Sequence, residues 1–381
     1  MKNFTFHNPT KIIFGKDSLA RMPREIPANS KILLTYGGGS IQRLGIYDQV
    51  METLKGWEVI PFGGIEPNPD VSTIRKAVRL GKDSEIDFVL AVGGGSVIDG
   101  SKLIAAAMLS DMDPWEIVLS GRCKEALPLG VVLTVPATGS EMNGVAVISS
   151  RERMEKFSFG SVFPRFSILD PSFTYSLTPH QVSCGIADAF IHVLEQYLTY
   201  TGQSGLMDRM AEGVLLNLLD LAPKRLSDPE DYDVACEYML SAAVALNGFL
   251  SMGVVEDWLT HKIGHEITAF TGVTHGASLV MIYPSTLRIL REQKAGKIIQ
   301  MGRRVFGIEG DDHERVIDET IAKLEGFFLS LGLATSMKEA GIDPKVAQRI
   351  TDRFSERGDS WGENGIATPS VIAEIIRDSI Q

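Results

Sequence analysis

A chain of 381 residues with 44% hydrophobic residues is long enough for two domains, because one core seldom grows beyond about 250 to 300 residues. Its 37 basic and 48 acidic residues give a net charge of -11, which opposes binding to nucleic acid and to anionic membranes. The sequence shows neither the apolar run of a signal peptide nor the ~18 apolar residues of a membrane span. We therefore expect a cytoplasmic protein. Its three cysteines, Cys123, Cys184 and Cys236, are too scattered to predict disulfides or a thiolate metal site.

The first half of the chain alternates short β-rich runs with helical patterns, which is typical of a parallel sheet covered by helices. Strands are predicted at residues 31–36, 57–62, 88–92 and 130–135, with further β-rich runs at 157–159 and 165–170.

Turns rich in glycine or hydroxyl groups follow these strands, at residues 37–40, 63–64, 93–96 and 136–141. A single glycine turn is often only a chain reversal. However, the carboxyl ends of parallel strands lie at one edge of a sheet, where ligands bind in open α/β folds. The turn at 93–96 leads directly into a helix, whose free N–H groups suit a pyrophosphate. This turn has Ile98 in place of the third glycine of the dinucleotide fingerprint, and it reverses the Lys-Ser order of an ATPase phosphate loop.

Beyond residue 178 the β signal ends and long helical patterns follow. They cover residues 179–198, 205–226, 228–250, 255–270, 275–289, 313–331 and 344–357. We therefore predict an α/β domain over residues 1–177, with a doubly wound, mostly parallel, Rossmann-like sheet, and an all-α domain over residues 178–381.

Histidines are concentrated in the second half. His261 and His265 are one helical turn apart, His275 lies ten residues further on, and Asp188 and His192 repeat the one-turn spacing upstream. One such pair is more often two partly buried polar residues than a metal site. Three of these four imidazoles, together with the carboxylate, would form a complete ligand set that suits either Fe²⁺ or Zn²⁺. Because the glycine turns lie in the other half, the active site is predicted in a cleft between the domains.

Several of these motifs are those of a known family. They are 167–171 (Ser-Ile-Leu-Asp-Pro), 177–179 (Leu-Thr-Pro), 185–189 (Gly-Ile-Ala-Asp-Ala), His192-x-x-Glu195, the histidines 261, 265 and 275, and the turns 93–96 and 138–141. The chain resembles the iron-containing, group III alcohol dehydrogenases over nearly its whole length. It most resembles the NADP-dependent butanol dehydrogenase or broad-range aldehyde reductase branch, through residues 6–10, 36–40 and 362–364.

The resemblance implies a dehydroquinate synthase-like fold and assigns roles to individual residues. The implied metal ligands are Asp188, His192, His261 and His275, while His265 lies close to the nicotinamide and the substrate without being a ligand. We predict that His265 acts as a proton relay to solvent. The cofactor would contact Gly37, Gly38, Gly39, Ser40, Asn68, Gly94, Gly95, Ser96, Asp99, Thr134, Thr138, Asn143 and Lys156. Family members commonly form homodimers through N-terminal strands, here residues 4–6 and 11–14.

The activity that the resemblance implies is hydride transfer between a nicotinamide cofactor and a primary alcohol or aldehyde, with a divalent metal acting as Lewis acid. The turn at residues 37–40 lacks the acidic residue that would accept a bond from a ribose hydroxyl and repel a 2′-phosphate, so NADP(H) is predicted over NAD(H). Aromatic residues, including Trp258 and Phe249, favour short aliphatic substrates, although they suit a core equally well. The alternatives are a glycerol dehydrogenase-like or dehydroquinate synthase-like enzyme on the same fold, and a non-catalytic metal- or nucleotide-binding protein.

Overall fold

The protein is described by a computed structural model that covers residues 1–381. Eight strands lie in its first half. They are β1 (Lys11–Phe14), β2 (Lys31–Tyr36), β3 (Glu58–Phe62), β4 (Phe88–Gly94), β5 (Leu129–Val135), β6 (Ala146–Ser150), β7 (Glu155–Phe159) and β8 (Phe166–Leu169). Six of them form one parallel sheet in the order β1-β8-β5-β4-β2-β3, whereas β6 and β7 form an antiparallel hairpin. The predicted parallel sheet is confirmed.

Short helices connect the strands of the sheet. They are α1 (Ser40–Arg43), α2 (Ile46–Thr53), α3 (Val71–Asp83), α4 (Gly95–Met108) and α5 (Pro114–Leu119). Successive residues of a strand point to opposite faces of the sheet. Leu33 of β2 belongs to one apolar core, with residues of α3, α4 and α5, and its neighbour Leu34 belongs to a second core, with residues of α2. Both faces of the sheet are therefore covered, as in a doubly wound fold.

Helices form the remainder of the chain. They are α6 (Pro179–Tyr197), α7 (Gly205–Ser227), α8 (Tyr232–Ala245), α9 (Leu259–Thr271), α10 (His275–Val280), α11 (Tyr283–Ile289), α12 (Arg291–Arg304), α13 (His313–Ser330), α14 (Pro344–Arg357) and α15 (Pro369–Ile380). The single helix predicted at 275–289 is wrong, because the structure has two helices there. The prediction also omitted α12 and α15.

Contacts divide the chain into two compact units. One unit, called the sheet unit here, comprises His7–Thr178 and Asp228–Asn247. The other, called the helical unit, comprises Met1–Phe6, Pro179–Ser227 and Gly248–Gln381. Helix α8 therefore packs within the sheet unit, where the Tyr238 hydroxyl donates to the Pro136 carbonyl oxygen at 2.5 Å. These two units differ from the predicted domains, which have a single boundary after residue 177.

The N-terminal segment departs from one expectation. Residues 4–6 form no strand, and the first strand of the chain is β1 at one edge of the sheet. Among the helices of residues 1–381, none has both the length and the apolar character that crossing a membrane requires.

Candidate metal centre and cofactor site

Helix α6 carries the first part of the candidate metal centre. Every residue from Val182 to Tyr197 is buried, so this helix lies in the interior of the helical unit. Asp188, His192 and Glu195 follow one another at spacings of four and three residues, which places them on the same face. Three polar side chains on the same side of a buried helix are costly unless they have partners.

Those partners come from α9 and α10. Asp188 Oδ1 lies 3.7 Å from His192 Nε2, 3.8 Å from His261 Nε2 and 3.7 Å from His275 Nε2. The ligand atoms of Asp188, His261 and His275 all lie within 4.8 Å of one another. The ring of His192 stacks on that of His261 at 4.6 Å between centroids. The structure thus brings the four predicted ligands together around the Asp188 carboxylate.

The donor set fits a divalent cation. His261 Nδ1 is paired with a carboxylate, whereas its buried Nε2 has no hydrogen-bond partner and faces Asp188. A buried ring nitrogen without a partner is destabilising, and a metal ion bound to its lone pair removes that cost. One carboxylate and three imidazoles are a ligand set that Fe²⁺ and Zn²⁺ both accept.

Glu195 holds His261 in place. Its Oε2 pairs closely with His261 Nδ1, and its Oε1 accepts a bond from the backbone N–H of Thr260 at 2.6 Å. Burial opposes a charge on His261, but the carboxylates of Glu195 and Asp188 outweigh it and raise its pKa to about 9, so a bound cation would displace a proton from Nε2. Burial lowers the pKa of His192 to about 4, against the attraction of Asp188. A carboxylate behind an imidazole sets the ring orientation and makes the other nitrogen a stronger ligand.

A buried ion pair fixes the beginning of α9, two residues before His261. Asp257 Oδ1 accepts a bond from the N–H of Leu259 at 2.9 Å, and Asp257 Oδ2 pairs with Lys294 Nζ at 2.5 Å. Lys294 also donates to the Leu198 carbonyl oxygen at 2.8 Å and lies 3.5 Å from Glu363 Oε1. Helix α12 and the segment around residue 363 are thereby tied to the element that carries His261.

His265 lies beside this centre. Its ring centroid is 5.3 Å from that of His275 and 6.4 Å from that of His261, and its side chain is buried. The set of mutually close ligand atoms consists of Asp188, His261 and His275, and it includes neither His265 nor His192. Its predicted role as a proton relay stays a prediction.

In the sheet unit, β4 leads directly into α4 through the predicted phosphate turn. A Cβ atom at Gly94 would lie 2.7 Å from Val135 Cβ, and one at Gly95 would lie 2.4 Å from Thr138 Oγ1. Side chains are therefore excluded at both positions, because the end of β5 and the turn after it pack closely against the start of this 14-residue helix. Free N–H groups at a helix N-terminus bind anions.

Three further predicted cofactor residues lie together. Asn68 has a left-handed backbone, its N–H donates to Ser96 Oγ at 3.2 Å, and its side-chain oxygen accepts from Lys156 Nζ at 2.8 Å. These contacts hold a hydroxyl, an amide and an ammonium group at the first turn of α4.

Asp99 and Asn143 are placed differently, because other groups of the chain engage them. Asp99 accepts from Ser140 Oγ at 2.6 Å and from the N–H of Val147 at 2.9 Å. The Asn143 side-chain oxygen accepts from Lys102 Nζ at 3.2 Å. Lys102 is fully buried and also donates to Ser140 and to the Val145 carbonyl oxygen. Burial lowers its pKa to about 8, against the attraction of Asp99 and Glu141.

The remaining predicted cofactor residues lie at the ends of β5 and β2. Thr134 is buried on β5, and Thr138 packs against Gly95. After β2, Gly39 has a φ of 89° and caps α1, which begins at Ser40. A Cβ at Gly39 would lie 4.0 Å from an Arg43 guanidinium nitrogen, so a cation is near this turn.

Two residues of the site received no role from the sequence. Glu195 follows His192 by three positions, and Lys102 follows Asp99 by three positions, so each shares a helix face with a residue that was identified. That spacing was the available signal.

Comparison with known proteins identifies the family. The family described as iron-containing alcohol dehydrogenase matches residues 9–171, and the C-terminal part of the same family matches residues 182–377. The chain belongs to the iron-containing alcohol dehydrogenase family. It is therefore an oxidoreductase with the family's fold, as predicted.

Individual relatives match over almost their whole length. The chain is 45% identical to the NADPH-dependent aldehyde reductase YqhD of Escherichia coli, covering 98% of this chain and 99% of the relative. It is 42% identical to the probable NADH-dependent butanol dehydrogenase 1 of Bacillus subtilis, covering 100% of both. The crystal structure of YqhD from Escherichia coli matches with a TM-score of 0.97 at 43% identity, covering 99% of each chain.

Proposed function

We propose that this protein transfers a hydride between NADP(H) and a short-chain aliphatic aldehyde or the corresponding primary alcohol. The observation that carries the proposal is the convergence of three imidazoles on the Asp188 carboxylate, with a buried ligand nitrogen of His261 left without a hydrogen-bond partner. The names of the similar proteins, an aldehyde reductase and a butanol dehydrogenase, support the substrate class.

Asp188, His192, His261 and His275 would hold the metal, either Fe²⁺ or Zn²⁺. When bound, the metal supplies a Lewis acid that polarises the substrate carbonyl. Glu195 keeps Nδ1 of His261 occupied, so that Nε2 is the nitrogen offered for binding. Asp188 contributes the negative charge that offsets part of the cation's charge.

His265 would transfer the proton that the product oxygen requires. Its ring lies beside that of His275, and the family resemblance places it outside the ligand set. Replacing His265 with Ala should lower kcat and change the pH profile while the metal content stays at the wild-type level. Loss of the metal in this variant would make His265 a ligand instead.

The cofactor would lie along the turns of the sheet unit. The backbone at Gly94, Gly95 and Ser96 would bind the pyrophosphate, while Asn68 and Lys156 lie at the same turn of α4. Gly37, Gly38, Gly39 and Ser40 would meet the adenosine ribose. Asp99, Thr134, Thr138 and Asn143 complete the proposed set, with Asp99 and Asn143 also bonded within the chain.

NADP(H) is proposed over NAD(H). The similar proteins are named for both cofactors, so the preference depends on the turn at Gly39 and Ser40. This turn carries no carboxylate, and Arg43 lies next to Gly39. Replacing Ser40 with Asp should shift the ratio of kcat/KM for NADPH over NADH at least tenfold toward NADH, since the new carboxylate repels a 2′-phosphate. An unchanged ratio would contradict the proposed preference.

We further propose a cytoplasmic homodimer. Strand β1 lies at an edge of the sheet, where its outer side is available for pairing with a second copy. The three cysteines are free thiols, the form that a reducing compartment maintains. Analytical ultracentrifugation would test the dimer.

The decisive experiment combines metal analysis by mass spectrometry with an NADPH-oxidation screen over short to medium-chain aldehydes. We expect about one divalent ion per chain and activity that chelation removes and added Fe²⁺ or Zn²⁺ restores. Undiminished turnover after complete chelation would contradict a metal-dependent mechanism. Bound metal and cofactor without hydride transfer to any aldehyde would indicate a binding protein.

A further inference from the structure

Trp258 has an unusual backbone next to the metal centre. It precedes α9 with φ 62° and ψ 10°, in the left-handed region. Among the non-glycine residues with positive φ in residues 1–381, it is the only aromatic one. Bulky side chains are rare in this region, where glycine is unstrained. Strained positions of this kind persist mostly at functional sites.

The start of α9 does not need this side chain. Trp258 occupies the N-cap position without a capping bond, and the bond to the N–H of Leu259 comes from Asp257. Glycine at position 258 would leave the Asp257 bond in place and would relieve the backbone. The reason for a tryptophan at position 258 must therefore be a contact that its ring makes.

The ring lies against two of the proposed ligands. Its centroid is 5.2 Å from that of His261 at an interplanar angle of 75°, and 6.1 Å from that of His192 at 62°. The indole group donates a hydrogen bond to the Glu256 carboxylate, which holds the ring in this orientation. Trp258 is nevertheless partly exposed, so one part of the ring remains open to a ligand.

We infer that Trp258 is a specificity-determining residue, whose ring forms an apolar wall beside the metal centre and limits the bulk of the aldehyde that can approach it. This inference rests on the proposed aldehyde reduction. A flat apolar ring beside the ligands suits an unbranched alkyl chain, whereas a branched or aromatic group next to the carbonyl would collide with it.

Two matched variants test the inference. Trp258→Gly and Trp258→Ala both remove the ring, but only glycine relieves the backbone, so the Gly variant should have the higher thermal midpoint of the two. In both, kcat/KM for benzaldehyde relative to butanal should rise roughly tenfold, the usual effect of enlarging a pocket by one apolar group. An unchanged ratio in two folded, active variants would overturn the inference and leave the proposed function intact. If the wild type reduces no aldehyde, the proposed function itself fails.

A second measurement does not depend on turnover. Titration of the metal-free protein with Co²⁺, a paramagnetic ion that quenches nearby indole fluorescence, should quench the wild type. Replacing Trp258 with Phe should remove most of that quenching, while the matched variant Trp57→Phe, at the surface near Pro27, should retain it. Full quenching in the Trp258 variant would show that the ring does not lie beside the bound ion and would overturn the inference, whatever the result with aldehydes.

Discussion

The buried Lys102 and Asp99 side chains of the sheet unit are hydrogen-bonded within the chain, whereas one buried imidazole nitrogen of the helical unit is not. In the sheet unit, the Lys102 ammonium donates to Ser140, to Asn143 and to a backbone carbonyl, and the Asp99 carboxylate accepts from Ser140 and from a backbone N–H. In the helical unit, His261 Nε2 is buried beside Asp188 without a hydrogen-bond partner.

This difference predicts different roles for the two clusters: the cluster around Lys102 supports the fold, and the cluster around Asp188 takes part in the reaction. A cluster whose polar atoms are satisfied internally keeps its shape with or without a ligand, and a fully connected polar network makes a rigid support. A cluster that lacks one partner is stabilised by whatever supplies it. The Lys102 cluster is therefore expected to affect folding first, and the Asp188 cluster to affect metal binding and turnover first.

The largest effect is expected from Asp188→Asn. The change removes the only carboxylate of the ligand set and keeps its size, so metal content should fall and kcat/KM should drop roughly a thousandfold. The thermal midpoint of the metal-free protein should change little. Asp220→Asn, at an exposed position of α7, is the matched control. Wild-type metal content in the Asp188 variant would contradict the assignment.

Lys102→Met tests the other cluster. Removing the ammonium leaves the Asp99 carboxylate buried without its counter-charge, which should lower the free energy of unfolding by about 3 to 5 kcal/mol. Urea unfolding of this variant and of the exposed control Lys76→Met measures the difference. A decrease in the free energy of unfolding of less than about 1 kcal/mol would show that the cluster around Lys102 does not stabilise the fold.

Glu141 is the exception within the sheet unit, because its buried Oε1 has no hydrogen-bond partner. Burial raises its pKa from the ordinary 4.5 to about 7. The folded state then binds the proton more tightly than the unfolded state, so stability is full below pH 4.5 and decreases as the pH rises to 7. The loss is at most about 3 kcal/mol.

Glu141→Gln should abolish that decrease. Urea midpoints of the variant at pH 5 and pH 8 should differ less than those of the wild type, while the exposed control Glu116→Gln should behave like the wild type. If the wild-type protein is equally stable at pH 5 and pH 8, the proposed effect of Glu141 on stability is wrong.

The smallest effect is expected from Glu195→Gln. The amide can still contact His261 but carries no charge, so the imidazole becomes a weaker ligand and metal affinity should fall about 10- to 100-fold. Competition with a chelator of known affinity measures this change. Unaltered metal affinity would mean that the charge of Glu195 does not strengthen His261 as a ligand.

The elements that follow simple periodic patterns were predictable from the sequence. Strands β2, β4 and β5 are buried apolar runs, and the His261 and His265 spacing indicates a helix. Helix α12 was missed because two residues of its buried face, Lys294 and Lys297, are charged, which disrupts its apolar pattern.

Two further differences from the predicted helices have causes that are visible in the sequence. The predicted helix at 275–289 is divided before Pro284, which lacks an N–H and disfavours a continuous helix. Helix α15 has apolar residues at Ile372, Ile375 and Ile376, a spacing that indicates a helix. Contacts between distant segments, such as Glu195 with Thr260, depend on tertiary packing and could not be read from a local pattern.

Helix α8 has a consequence for synthesis. The sheet unit needs Asp228–Asn247 for completion, since the Leu246 carbonyl oxygen accepts from the Asn143 side-chain amide and Tyr238 donates to Pro136. A nascent chain that has left the ribosome only as far as residue 178 therefore lacks a part of its own sheet unit. Premature termination after residue 178 should yield an aggregation-prone fragment rather than an autonomous domain.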